Sequence, residues 1–264
     1  MTDSTVLLDI QPDGVARLRL NRPEIHNAFD DAIIQRLTEL LRALDANPAV
    51  RVLVLASNGK NFSAGADFNW MQRMAANSHG ENLQDALGLA GLMSLLNNLS
   101  KPTIALVQGA AYGGAVGLAA CCDIVIATQA SRFCLSEVRI GLTPATISPY
   151  VVRAIGERQA RRYFQTAEAF SAEQAKHFGL VHEVVTDSSE LDAACNSVVK
   201  ALRRNGPRAM TAAKELVFAV SQKPIDATLI NDTARRIADI RVSEEGQEGL
   251  SAFLQKRAPN WIEE

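Results

Sequence analysis

Through the first two thirds of this chain, apolar runs of strand length alternate with longer segments of helical period, and in the last third only helical periods remain. Strands separated by helices pair in parallel, and the helices must then cover the sheet. Residues Val6–Ile10 and Val15–Leu20 flank Pro12-Asp13-Gly14 and read as a hairpin. Pro23 ends the second strand, since proline cannot donate to a ladder. Asp30 or Asp31 caps a helix whose apolar positions are Ile33, Ile34, Leu37, Leu40, Leu41 and Leu44, and Asn47-Pro48 stops it. Strands are expected at 50–56, 103–107, 124–127 and 132–135, with an apolar helix at 83–99. Residues 70–79 are of mixed composition and give no clear element. Further helices are expected at 150–155, 157–166 and 172–177, then at 190–204, 207–221, 225–241 and 244–255. The pattern predicts an α/β core with a helical appendage.

Two glycine-rich bends interrupt this pattern. One is Asn61-Phe62-Ser63-Ala64-Gly65-Ala66-Asp67, after the strand at 50–56. The other is Tyr112-Gly113-Gly114, between the strand at 103–107 and an apolar helix. A strand that feeds a small-residue turn and a helix start leaves main-chain N–H groups without partners and lets a ligand approach them closely. Tight packing of helix on sheet accounts for the same small residues equally well. Glu137 is the first acid beyond the second bend after Asp123. It reads either as an acid/base group or as a surface acid paired with Arg132 or Arg139.

Net charge of −2 gives no electrostatic case for nucleic acid or an anionic membrane. No apolar run is long enough to span a bilayer, and the first residues lack a signal-peptide pattern, so a cytoplasmic location is expected. Four cysteines at 121, 122, 134 and 195 form no C-x-x-C pair and read as buried thiols in a reducing compartment. With four histidines, none near a cysteine, no metal site is expected. Gly109, Gly113, Gly114 and Gly117 do not match G-x-G-x-x-G, and no acid stands where a dinucleotide ribose would need one.

The ordered set of Asn-Arg-Pro-Glu-Ile-His-Asn-Ala at 21–28, Phe-Ser-Ala-Gly-Ala-Asp at 62–67, Gly-Ala-Ala-Tyr-Gly-Gly-Ala at 109–115 and Cys-Asp at 122–123 resembles the crotonase, or enoyl-CoA hydratase/isomerase, superfamily. The likeness runs on through Phe133-Cys134-Leu135-Ser136-Glu137 to the C-terminal Phe-Leu-Gln-Lys-Arg-Ala-Pro-Asn-Trp. It implies a spiral of β-β-α units over residues 1–195, which holds the active site. Residues 196–264 would form a helical trimerisation region, giving a homotrimer or a dimer of trimers.

The resemblance further implies that the amides of Ala66 and Gly114 form an oxyanion hole for an acyl-CoA thioester, with Glu137 as the proton-transfer group. Glu24, Ile25, His26, Ala64, Asp67, Phe68, Gly113 and Gly117 would contact substrate or CoA. Phe253 and Lys256 would reach a neighbouring subunit's CoA. Coenzyme A is part of the substrate, and no other cofactor is implied. Hydratases with two catalytic carboxylates carry the first at the position of Gly117, so this chain departs from that pattern. Ala145 stands where dienoyl isomerases place an extra aspartate. The string from Ser136 to Gly156 looks most like bacterial methylglutaconyl-CoA and isohexenylglutaconyl-CoA hydratases. Addition of water to a branched, carboxylated enoyl-CoA is thus the expected activity. A Δ3,Δ2-enoyl-CoA isomerase and a non-catalytic acyl-CoA binder are the alternatives.

Overall fold

The computed structural model describes residues 5–262. Two compact units divide the chain: residues 1–99 with 103–196, and residues 100–102 with 197–264.

In the first unit, β1 (Val6–Ile10) and β2 (Val15–Leu20) form the expected hairpin. β2 then pairs in parallel with β3 (Val52–Ser57), β3 with β4 (Thr103–Val107), β4 with β6 (Ile124–Thr128), and β6 with β9 (Glu183–Val185). The strand order β1-β2-β3-β4-β6-β9 makes one six-stranded sheet. Its central strands β3 and β4 are buried almost throughout, so they read as continuous apolar runs. In a second sheet, β7 (Arg132–Cys134) forms where a strand was expected, but its partners β5 (Ala110–Tyr112) and β8 (Phe170–Ser171) are too short to carry a readable pattern, so the sheet itself was not expected.

Helix α1 (Asp31–Ala46) is capped by the Asp30 carboxylate, which accepts from the Ile33 amide, and buries all six predicted apolar positions. Residues 70–79 hold the end of one helix and the start of another, parted by Asn77 and Ser78. Helix α2 (Phe68–Ala76) runs to Asn77, and Ser78 with Glu81 forms a capping box that starts α3 (His79–Asn97). Helix α4 (Gly114–Cys121) follows β5, and a 3-10 turn (Glu137–Ile140) precedes α5 (Ser148–Thr166). Gly156, at φ 76°, breaks α5 where two helices were expected. Helix α6 (Ala172–Phe178) leads into β9, and α7 (Ser188–Arg203) crosses the boundary between the units.

The second unit holds α8 (Pro207–Val220), α9 (Ala227–Val242) and α10 (Glu244–Leu254). The Glu245 carboxylate accepts from the Arg208 and Ala209 amides, at 3.0 and 2.7 Å, and so satisfies the start of α8. Arg257 grips Glu248 through both nitrogens of its fork, and holds that carboxyl down at about 2.

Candidate active site

The bend that follows β3 is held almost entirely through its main chain. The Phe62 and Ser63 amides donate to the carbonyls of Gln108 and Ala110. The Ala64 amide donates to the His26 carbonyl, and the Gly65 amide to Ser63 Oγ. The Phe29 amide donates to Gly65, and the Asp67 amide donates back to Phe29. Among the described residues the Ala66 N–H meets no acceptor. It lies on an exposed residue between buried neighbours, Gly65 and Asp67.

The second bend joins β5 to α4. Gly113 donates to the Cys134 carbonyl and takes φ 54°, ψ −123°, a conformation that glycine adopts readily. The Gly114 and Ala115 amides meet no acceptor among the described residues; Ala115 is wholly buried and Gly114 only partly. Orphan amides at a helix start are an expected product of helix geometry, and they favour developing negative charge.

The two bends are one structure. The Tyr112 amide donates to the Ser63 carbonyl at 3.0 Å, while Ser63 bonds to Ala110, so the segments pair like short strands. A Cβ on Gly65, which takes φ +94°, would stand 2.9 Å from the Tyr112 carbonyl oxygen. A Cβ on Gly114 would stand 2.6 Å from the Phe29 ring, so this approach also requires glycine.

Glu137 begins the 3-10 turn after β7, and its Oε1 comes within 3.2 Å of where a Gly113 Cβ would be. Its Oε2 is the sole buried carboxylate oxygen without a hydrogen-bond partner among the described residues. Burial pushes this carboxyl above its ordinary value, against a smaller downward pull from its own backbone amide. The pairing with Arg132 or Arg139 does not form. Arg132 donates to the Gln129 and Ser131 carbonyls, and Arg139 to the Ala167 carbonyl at 2.6 Å.

The other positions singled out fall into four groups. Glu24, Ile25 and His26 lie on a 3-10 turn beside the first bend; His26 is exposed, and its Nδ1 is 3.0 Å from Asn61 Nδ2. Ala64 and Phe68 are exposed on the same alternation as Ala66, with Phe68 at 76%. The Asp67 carboxylate is engaged within the fold: it accepts from the Asn69 and Trp70 amides at the start of α2 and pairs with Arg22 at 3.2 Å. Phe253 and Lys256 lie in the second unit, with Phe253 82% exposed.

Gly117 is not an open space. A Cβ there would overlap the Cγ2 methyl of Ile147 and stand 2.7 Å from its Cβ and 3.2 Å from the Met93 Cε. Sequence reasoning missed Ile147, Met93 and Phe29, because each touches its glycine from a distant segment. Arg22, which pairs with both Asp30 and Asp67, was visible in Asn-Arg-Pro but carried no assigned role.

A parallel sheet flanked by a small second sheet, with a C-terminal run of helices and two open amides at joined bends, defines an enzyme of the crotonase superfamily. The enoyl-CoA hydratase/isomerase family model matches residues 11–264, and the chain belongs to that family. The solved structure of an enoyl-CoA hydratase from Shewanella pealeana superposes with a TM-score of 0.94 at 48% identity, covering 97% of this chain and 96% of that one. The 2,3-dehydroadipyl-CoA hydratase of Escherichia coli is 33% identical over 94% of each chain. The crotonyl-CoA hydratase of Syntrophomonas wolfei is 31% identical over 99% of each. Among the described residues no helix is long and apolar enough to cross a membrane, and no group of three His, Cys, Asp or Glu side chains could hold a metal ion.

Proposed function

We propose that this enzyme adds water to a branched, carboxylated α,β-unsaturated acyl-CoA, such as 3-methylglutaconyl-CoA or a longer isoprenoid analogue. The observation that carries the reading is the partnerless Glu137 Oε2 beside the bend that ends in the open Gly114 amide. The Ala66 and Gly114 amides donate to the thioester oxygen. As water attacks C3, negative charge moves through C2 onto that oxygen, and two fixed donors stabilise the enolate. Glu137 takes a proton from the attacking water and returns one to C2. A carboxyl raised by burial is suited to both halves of that exchange.

The 24–26 turn and Ala64, hydrogen-bonded to each other, hold the CoA chain, with Phe68 at the rim. The main chain of Asp67 and Gly113 lines the thioester. No cofactor is used beyond the CoA of the substrate, and four buried cysteines in no disulfide suit a reducing, cytoplasmic setting. The second unit assembles the enzyme as a trimer or a dimer of trimers. Its support is the absence of any buried residue on α8 and α9 and the exposure of Val217, Ile230, Val242, Phe253 and Leu254. In the assembly, Phe253 and Lys256 contact a neighbour's CoA.

A Δ3,Δ2-enoyl-CoA isomerase is the second reading. It is favoured by the filled space at Gly117, because moving one proton from C2 to C4 needs a single carboxyl. Product analysis in ¹⁸O-labelled water separates the two, with 3-methylglutaconyl-CoA, its isohexenyl analogue and a 3-enoyl-CoA as substrates. The expected result is ¹⁸O in the branched acids and its loss in Glu137→Gln. Deuterium exchange into a shifted alkene without ¹⁸O would establish the isomerase instead.

A further inference from the structure

Helix α4 carries the Gly114 amide at its first residue and Gly117 one turn on. The atoms nearest a Cβ at Gly117 are all apolar. Ile147 is 1% exposed and Met93 0%, and Met93 also touches Cys121 on the next turn, Sγ to Sδ 3.7 Å. Ile147 cannot swing aside. It is the N-cap residue of α5, and its carbonyl accepts from the Tyr150 and Val151 amides, so its Cβ is fixed by backbone. The acids that end the first bend and follow α4 in the chain are already engaged. Asp67 is engaged by α2 and Arg22, and Asp123 by the Thr103 amide and hydroxyl.

We infer that Ile147 is a specificity-determining residue: seated on Gly117 together with Met93, it excludes a second carboxylate and so selects substrates that bring an anionic group of their own. This rests on the function proposed above. Hydration breaks one O–H bond of water and the C2=C3 π bond, and forms C3–O and C2–H, so Glu137 ends in the protonation state in which it began. With one protein carboxylate, that group must both aim the water and carry the proton. A simple straight-chain enoyl thioester offers nothing to hold the water against an apolar wall. A substrate carboxylate does.

The test uses the full-length enzyme and reads both stability and selectivity. Alanine is the better helix former, so Gly117→Ala should raise Tm wherever space allows. In the wild-type background Ile147 forbids it, and Tm should fall by roughly 4 °C or more. In an Ile147→Gly background the same substitution should raise Tm; should that variant not fold, the loss should shrink in Ile147→Ala. Gly117→Glu combined with Ile147→Gly or Ile147→Ala should raise the kcat/KM ratio of crotonyl-CoA to 3-methylglutaconyl-CoA by about tenfold or more over the Ile147 variant alone. Equal Tm losses in all backgrounds, or an unmoved ratio in an enzyme that hydrates and loses hydration with Glu137→Gln, would overturn the role of Ile147 alone. A wild type that hydrates neither thioester would instead bring down the functional reading together with the selectivity built on it.

Discussion

The two units of this chain solve the problem of burial in opposite ways. The first covers its own apolar surface: Phe29, Phe62, Phe133, Phe170 and the strands β3 and β4 are almost wholly enclosed. The second leaves its helices half-covered. Val199 and Ala252 are its buried hydrophobic residues, while Ile225, Val242, Phe253 and Leu254 are each more than three-quarters exposed. A region that closes upon itself can fix main-chain donors to within a fraction of an ångström. A region that does not is what the proposed assembly of copies would complete. Chemistry is accordingly expected to fail when the first unit is changed, and assembly when the second is.

The sharpest version of that division is Glu137→Gln. Loss of the proposed proton carrier should lower kcat by roughly 10²–10⁴-fold, with the sedimentation profile unmoved. Ala66→Pro deletes one unpaired amide and should lower kcat by about 10²–10³-fold with a smaller change in KM, as steady-state kinetics would read it. Turning to the second unit, Val217→Asp with Phe218→Asp removes two exposed apolar side chains. At about 1.5–3 kcal/mol for each one buried between copies, subunit dissociation should strengthen by a hundredfold or more, measured by analytical ultracentrifugation. Full assembly in that variant would break the comparison outright.

Asp67→Ala takes away the α2 cap and leaves Arg22 one acid short, so thermal unfolding should show a loss of about 1–2 kcal/mol. The smallest effect concerns pH. Glu137 holds its proton more tightly folded than unfolded, so stability from this group is full below the unfolded value and declines as pH rises through the folded one. Glu137→Gln should therefore melt higher than wild type at neutral pH and lose that advantage in acid, as thermal melts across pH would read it. The same shift places the acid limb of kcat/KM above the ordinary carboxylate range.

Much of the first unit was legible in the sequence because its signals are long. Sixteen residues of α1 display their buried stripe openly, and the hairpin announces itself through Pro12-Asp13-Gly14. The start of α3 was missed although Ser78 and Glu81 spell a capping box, because the helix is apolar on several sides and its first turns are exposed. Of the second sheet only β7 was legible, since β5 and β8 are too short to show a pattern. Within the candidate site, the two bends could be read from residue type, whereas Glu137 was set apart from a surface acid only by the family resemblance. What could not be read was why glycine stands at 114 and 117. Phe29 and Ile147 answer that, and both are contacts across the fold rather than patterns along it.

The hydrogen bonds that stitch Ser63 to Ala110 and Tyr112 have a consequence for how this enzyme accommodates acyl groups of different girth. Neither jaw of the cradle can yield independently, so its aperture is invariant from one thioester to the next. Any change in acyl girth would have to be met by side chains outside these two bends.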